Sequence, residues 1–184
     1  MRRPARTSAV VVACLLVPVF LLLATQIGND EGTAASRRIG KPVPAFDLPV
    51  LDSDATVSSA ELLGTTYLVN FWNDWCIPCQ QEHPALAAFD AAHADDPTVR
   101  LIGIVRDENS LADIRAYVAD EGVTWTVLLD PDQTAKLRFG TTGQPETFAI
   151  SADGIARAVH IGPATLDDLE NLLAAARAPA GVTP

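Results

Sequence analysis

Cysteine is scarce. There are three in 184 residues, at positions 14, 76 and 79, too few for the disulfide-dense scaffolds that staple small secreted domains. Basic residues are few as well, 13 Lys and Arg against 23 Asp and Glu. All of the acidic residues lie beyond residue 27, with only ten of the basic ones, so that part of the chain repels nucleic acid and anionic lipid surfaces. No internal repeat is present, which excludes solenoids and propellers. Ligands for a structural zinc site are short too, since Cys76, Cys79 and His83 make only a partial C-x2-C-x3-H set where four ligands are the rule.

What the chain does have begins at its N-terminus. Arg2, Arg3 and Arg6 precede an uncharged, mainly apolar run from Thr7 to Ile27, about long enough for a ~30 Å hydrocarbon layer. Asp30 and Glu31 follow it. The positive-inside rule keeps the arginines in the cytoplasm and sends the rest across. A cleavable signal has a shorter apolar region ending at a small-x-small site, and on its length the run reads as an uncleaved signal anchor. Cys14 falls in mid-run and reads as apolar filler rather than a lipidation site; the paired arginines lack the rest of a twin-Arg motif. The expected organisation is an anchor over 1–27, a tether over 28–37, one domain over 38–178 and a tail over 179–184.

Within the domain, residues 39–48 alternate apolar residues and prolines, a lead-in loop to an edge strand. Leu51 to Asp54 reads as a turn, and Ser58 or Ser59 with Glu61 as the cap of a short helix ending at Gly64. Buried strands are expected at 66–72, a β-branched and aromatic run, and at 99–105, and shorter ones at 126–129, 147–150 and 155–161, the last two joined by the turn Ala152-Asp153-Gly154. Helices are expected at 77–93, bent at Pro84, at 109–121 with Leu111, Ile114, Tyr117 and Val118 on one face, at 133–139, and at 166–177 behind the cap Thr165. Alternating strands and helices closed by a hairpin and a helix predict a mixed central sheet with helices on both faces.

The chemistry concentrates in Trp75-Cys76-Ile77-Pro78-Cys79, between the 66–72 strand and the 77–93 helix. Cys76 at a helix N-terminus meets free backbone N–H groups and the positive end of the helix dipole, which favour its thiolate. Cys79, one turn on, is within reach of Cys76, so the pair can cycle between dithiol and disulfide. Pro78 suits the first turn, where an N–H is not needed. In an oxidising compartment a lone pair of cysteines reads as a functional couple rather than a scaffold. Glu82 is one helical turn beyond Cys79 and, if buried, a base for its thiol; Asp74 adds negative charge before Cys76. His83 reads as a packing or helix-surface residue, His93 and His160 as structural, Trp72 and Trp125 as core.

These motifs carry a family resemblance. Ile39-Gly40-Lys41-Pro42-Val43-Pro44-Ala45-Phe46, Asn70-Phe71-Trp72-Asn73-Asp74 with the Trp-Cys-x-x-Cys, Glu82-His83 and Gly143-Gln144-Pro145-Glu146-Thr147-Phe148 resemble the membrane-anchored extracytoplasmic thioredoxins of the TlpA/ResA group, and within it the CcmG/DsbE proteins. The resemblance spans about residues 38–176. It implies a thioredoxin fold with an N-terminal extension, on the outer face of a bacterial inner membrane. It further implies Cys76 as nucleophile, Cys79 as resolving thiol, Glu82 as proton acceptor, Trp75 and Glu146 as active-site residues, and a cis bond before Pro145 that leaves the backbone of Gln144 open to a substrate strand. Where thioredoxins carry a buried Asp on the strand this chain has Asn70, and an amide cannot take the proton.

The expected activity is thiol:disulfide interchange. By resemblance it is the reduction of partner disulfides in cytochrome c maturation, at an apocytochrome CxxCH or a thiol protein of that pathway. Electrons would come from a DsbD/CcdA-like membrane donor, with no cofactor or metal of its own. A CxxC leaves the direction open, so an oxidant of exported proteins is the alternative; a Cu or Zn chaperone is a more distant one. The lead-in loop also resembles peroxiredoxin N-termini, but those enzymes place their cysteine in a Thr-containing loop, where this chain has Trp-Cys-x-Pro-Cys.

Overall fold

The computed structural model describes Val17 and residues 38–106 and 111–179. The expected anchor apart from Val17, the tether, all but the first residue of the tail, and the expected start of a helix at Asn109 lie outside the described residues. Among those described, no helix is long and apolar enough to cross a membrane.

The elements are β1 (Asp47–Pro49), β2 (Thr56–Ser58), β3 (Thr66–Trp72), α1 (Ile77–His93), β4 (Val99–Val105), α2 (Leu111–Asp120), β5 (Thr126–Leu129), α3 (Thr134–Phe139), β6 (Glu146–Ile150), β7 (Ala156–Ile161) and α4 (Leu166–Arg177). Five strands form one sheet in the order β5-β4-β3-β6-β7. The first three are parallel, and β6 and β7 run antiparallel. The sheet is the mixed one of a thioredoxin fold, with β3 at its centre. All seven residues of β3 are buried, as a strand covered on both faces requires.

The period-two alternation of β3 divides the core. Tyr67, Val69 and Phe71 face a cluster that includes Ile102, Ile104, Phe139 and Phe148. Leu68, on the opposite face, packs with Leu86 and Phe89 of α1 and with Leu169, Leu172 and Leu173 of α4. Asn70 is on the Leu68 side by the same alternation. Burying a side chain such as Phe89, which has 0% of its surface exposed, is worth roughly 1.5–3 kcal/mol.

α1 is continuous through Pro84. The lead-in loop is tied to the β6–β7 turn through Gly40 N–H to Ala156 C=O (2.8 Å) and Val43 N–H to Gly154 C=O (2.8 Å). Gly103 of β4 leaves room for two indoles: a Cβ there would lie 2.6 Å from Trp72 Nε1 and 3.2 Å from Trp125 Nε1.

One expected element does not form. The helix anticipated between Ser58 and Gly64 is a succession of turns, and Ser58 closes strand β2, which pairs with β1. The capping signature is nonetheless satisfied: Glu61 N–H donates to Ser58 Oγ (3.3 Å) and Ser58 N–H to Glu61 Oε2 (3.1 Å). Gly64, at φ +90°, reverses the chain after three residues, too few to recover the cost of nucleating a helix.

Candidate active site

β3 ends at Trp72, and four residues later α1 begins with Cys76 as its N-cap, in extended conformation. Cys76 and Cys79 form a disulfide with S–S 2.07 Å and Cα atoms 5.2 Å apart. The Cys79 N–H, free of any helical partner at this position, donates to Cys76 Sγ (3.3 Å). The approach to the helix is pinned by its neighbours. Gln80 Nε2 donates to the Asp74 carbonyl (2.6 Å), while the Asn73 amide accepts from Trp75 Nε1 (3.1 Å) and donates to the Arg106 carbonyl (3.3 Å).

The two sulfurs differ in access. Cys76 lines an open recess of about 440 Å³ with Trp75, Ile77, Arg106, Lys136 and Gln144 among its other walls. Both cysteines are nearly buried, Cys76 at 5% and Cys79 at 3% exposed, and it is Cys76 alone of the two that lines the recess. A partner can therefore meet Cys76 first, and Cys79 acts from within. Trp75 and Ile77, 48% and 66% exposed, form an apolar rim.

Beneath the pair is Glu82, 1% exposed. Its helix position, one turn after Cys79, puts the two side chains on the same face of α1. Asn70 Nδ2 donates to Glu82 Oε1 (2.8 Å) and to Thr147 Oγ1 (2.9 Å), and the Ala164 N–H ahead of α4 donates to Glu82 Oε2 (3.0 Å). Burial pushes the carboxyl up to about 7, against the opposing pull of the Ala164 and Asn70 hydrogen bonds. A group with that pKa can take a proton from a thiol at neutral pH and give it back.

The Gln144–Pro145 bond is cis, as expected, and Gln144 Nε2 donates to the Trp72 carbonyl (3.0 Å), joining this loop to the end of β3. Glu146 is fully buried. Its Oε1 accepts from the N–H groups of Thr142 (2.9 Å) and Gly143 (2.8 Å) and from Thr142 Oγ1 (3.1 Å), so its visible work is to shape the loop that walls the recess. Among the described residues its Oε2 has no hydrogen-bond partner.

His83 packs between Tyr117 and Trp125, with ring centroids at 5.6 and 5.2 Å, and its Nε2 is 3.2 Å from the Glu121 carbonyl. That is the packing role. Among the described residues no group of three His, Cys, Asp or Glu side chains is placed to hold a metal ion. Trp72 and Trp125 are core residues. His93 and His160 lie by Glu170 and Asp168 on α4.

Four contributors escaped the sequence reading: Thr147, Ala164, Arg106 and Lys136. A signal existed for Arg106 alone, because it directly follows a parallel strand next to the one that delivers Cys76, so both loops open at the same sheet edge.

The model of the AhpC/TSA family matches residues 39–159. The chain is 36% identical over 148 residues to the thiol:disulfide interchange protein DsbE of Pseudomonas fluorescens biotype C, covering 80% of this chain and 79% of that one. It is 32% identical over 163 residues to DsbE of Escherichia coli strain K12, covering 80% and 84%. Among solved structures, a thiol:disulfide interchange protein of the thioredoxin family from Chlorobium tepidum TLS superposes with TM-score 0.63 at 28% identity, covering 73% of this chain and 94% of that one. Two cysteines that differ in access over a buried acid are what disulfide exchange requires, and on these likenesses the chain belongs to the DsbE family of thioredoxin-like thiol:disulfide oxidoreductases within AhpC/TSA.

Proposed function

We propose that the chain works as a reductant, tethered by residues 1–27 to the outer face of a bacterial inner membrane, and that its substrates are disulfides of cytochrome c maturation. The observation that carries the reductive reading is the enclosed Cys79–Glu82 arrangement. Strong oxidants of this fold owe their potential to a stabilised thiolate in the reduced form. A carboxylate beneath a buried resolving cysteine disfavours that thiolate and lowers the potential.

In the proposed cycle the Cys76 thiolate attacks a partner disulfide, forming a mixed disulfide and releasing one partner thiolate. Cys79 then gives its proton to Glu82 and attacks Cys76 Sγ. The Cys76–Cys79 bond forms, the second partner thiolate leaves, and two electrons have passed to the partner. Glu82 returns the proton to solvent or to the leaving thiolate. A membrane donor of the DsbD/CcdA type would restore the dithiol.

One observation favours the reverse direction. Arg106 and Lys136 share the recess with Cys76, and cations beside it would stabilise its thiolate and raise the potential. The discriminating experiment is capture in cells. A Cys79→Ser variant should accumulate a mixed disulfide through Cys76 with an exported CxxCH protein or a thiol protein serving it. Capture of assorted exported proteins instead would favour the oxidant, and capture of none would contradict the assigned thiol roles.

A further inference from the structure

We infer that Lys136 selects the partner segment, by pairing with an acidic side chain beside that segment's reactive cysteine in the recess lined by Cys76. The inference rests on the interchange reading above and adds the chemical class of what is exchanged.

Lys136 is one of two lysines in the sequence, the other being Lys41. It projects from the short helix α3 into the wall of the recess, and it is only partly exposed. Burial, and then the nearby Arg106 charge, hold its ammonium below the usual lysine range, with Glu146 and Asp130 pulling the other way. Neither acid pairs with it directly. Glu146 Oε1 is taken up by Thr142 and Gly143, and Asp130 accepts from the backbone N–H groups of Ala135 and Lys136. Among the described residues the Lys136 ammonium has no ion pair. Arg106, by contrast, is anchored through Nη1 to Gln133 Oε1 (2.7 Å).

A partly desolvated cation with carboxylates near it but no direct ion pair is further stabilised by an anion brought into contact with it. Lys136 brings a cation to the recess wall on a chain of formal net charge −10. That contrast is charge complementarity of an unusual sign for this molecule, and it fits an acidic occupant. The exposed Trp75 and Ile77 at the rim add apolar contact for an extended backbone entering over Cys76. The same charge also acts on Cys76, an effect common to every partner, so a preference among partners reads the pairing alone.

The test uses the reduced protein and three oxidised Cys-x-x-Cys-His peptides that differ only in Glu, Gln or Lys beside the first cysteine. At low ionic strength the second-order rate of peptide reduction should fall from Glu to Gln to Lys, by roughly fivefold to tenfold overall. The spread should collapse in about 0.5 M salt. Lys136→Gln should abolish the preference and Lys136→Glu should reverse it, each variant's rates being taken relative to its own rate on the Gln peptide so that any change in the potential of the pair cancels. Equal rates for the three peptides would overturn the inference and leave the reductive reading standing. So would a preference that survives Lys136→Gln. Failure to reduce any of the three would overturn the reductive reading and this inference with it.

Discussion

Burial pushes the Glu82 carboxyl up from the ordinary 4.5 of a glutamate to about 7, so its protonation changes near neutral pH. The sign of the consequence follows from proton counting. Between those two values the folded chain binds more protons than the unfolded one, so stability falls as pH rises from about 4.5 to about 7 and is flat above. The full effect is about 3 kcal/mol, at 1.36 kcal/mol per unit. Urea unfolding of the oxidised protein from pH 4 to pH 8 should show this decline, and Glu82→Gln should remove it; an unchanged decline in the variant would assign it to another group. The same variant should slow resolution of a mixed disulfide by roughly a hundredfold near pH 7, the low end for a general base, as followed by stopped-flow release of a peptide thiol. Cys76, Cys79 and Glu82 are legible in the sequence because their relation is local, set by helical spacing. The partners that hold Glu82 are not. Asn70 is 12 residues away, and Ala164 is 82.

Two segments of the chain carry the same capping signature and come to different ends. Thr165 and Asp168 form a complete capping box, with Asp168 N–H donating to Thr165 Oγ1 (3.2 Å) and Thr165 N–H to Asp168 Oδ2 (2.9 Å). It opens a 12-residue helix that buries Leu169, Leu172, Leu173 and Ala176. Ser58 and Glu61 make the reciprocal bonds too, but only turns follow. The signature fixes local hydrogen bonds; the helix requires the apolar stripe beyond it. Thr165→Ala should therefore cost about 1 kcal/mol in urea unfolding, a loss felt at the site because the Ala164 N–H beside the cap holds Glu82. A change below about 0.3 kcal/mol would mean that packing alone holds the start of α4. The bounds of strands β3 and β4 are legible because both are mainly apolar runs rich in β-branched or aromatic residues, broken only by Asn70 in one and Arg100 in the other. The three-residue strand β2 was not, its polar Thr-Val-Ser giving no alternation to recognise.

At the scale of the whole molecule the sheet order β5-β4-β3-β6-β7 is what makes a site from separate segments. Parallel β3 and β4 open their loops at one edge, β6 enters antiparallel at the same edge, and so Cys76, Arg106 and the Gln144–Pro145 loop converge although up to 69 positions separate them. Alternating elements implied a mixed sheet with helices on both faces. Lys136 on that recess was beyond reach, because no local pattern tells which end of the sheet a short helix will flank. The direction of electron flow is likewise a property of the assembled site, where the buried Glu82 and the two cations of the recess act in opposition. The reduction potential of the Cys76–Cys79 pair, set by equilibrating the oxidised protein with dithiothreitol or glutathione buffers, weighs them directly. The account predicts a value near the ≈ −270 mV of thioredoxin; one near the ≈ −120 mV of DsbA would contradict the reductive function.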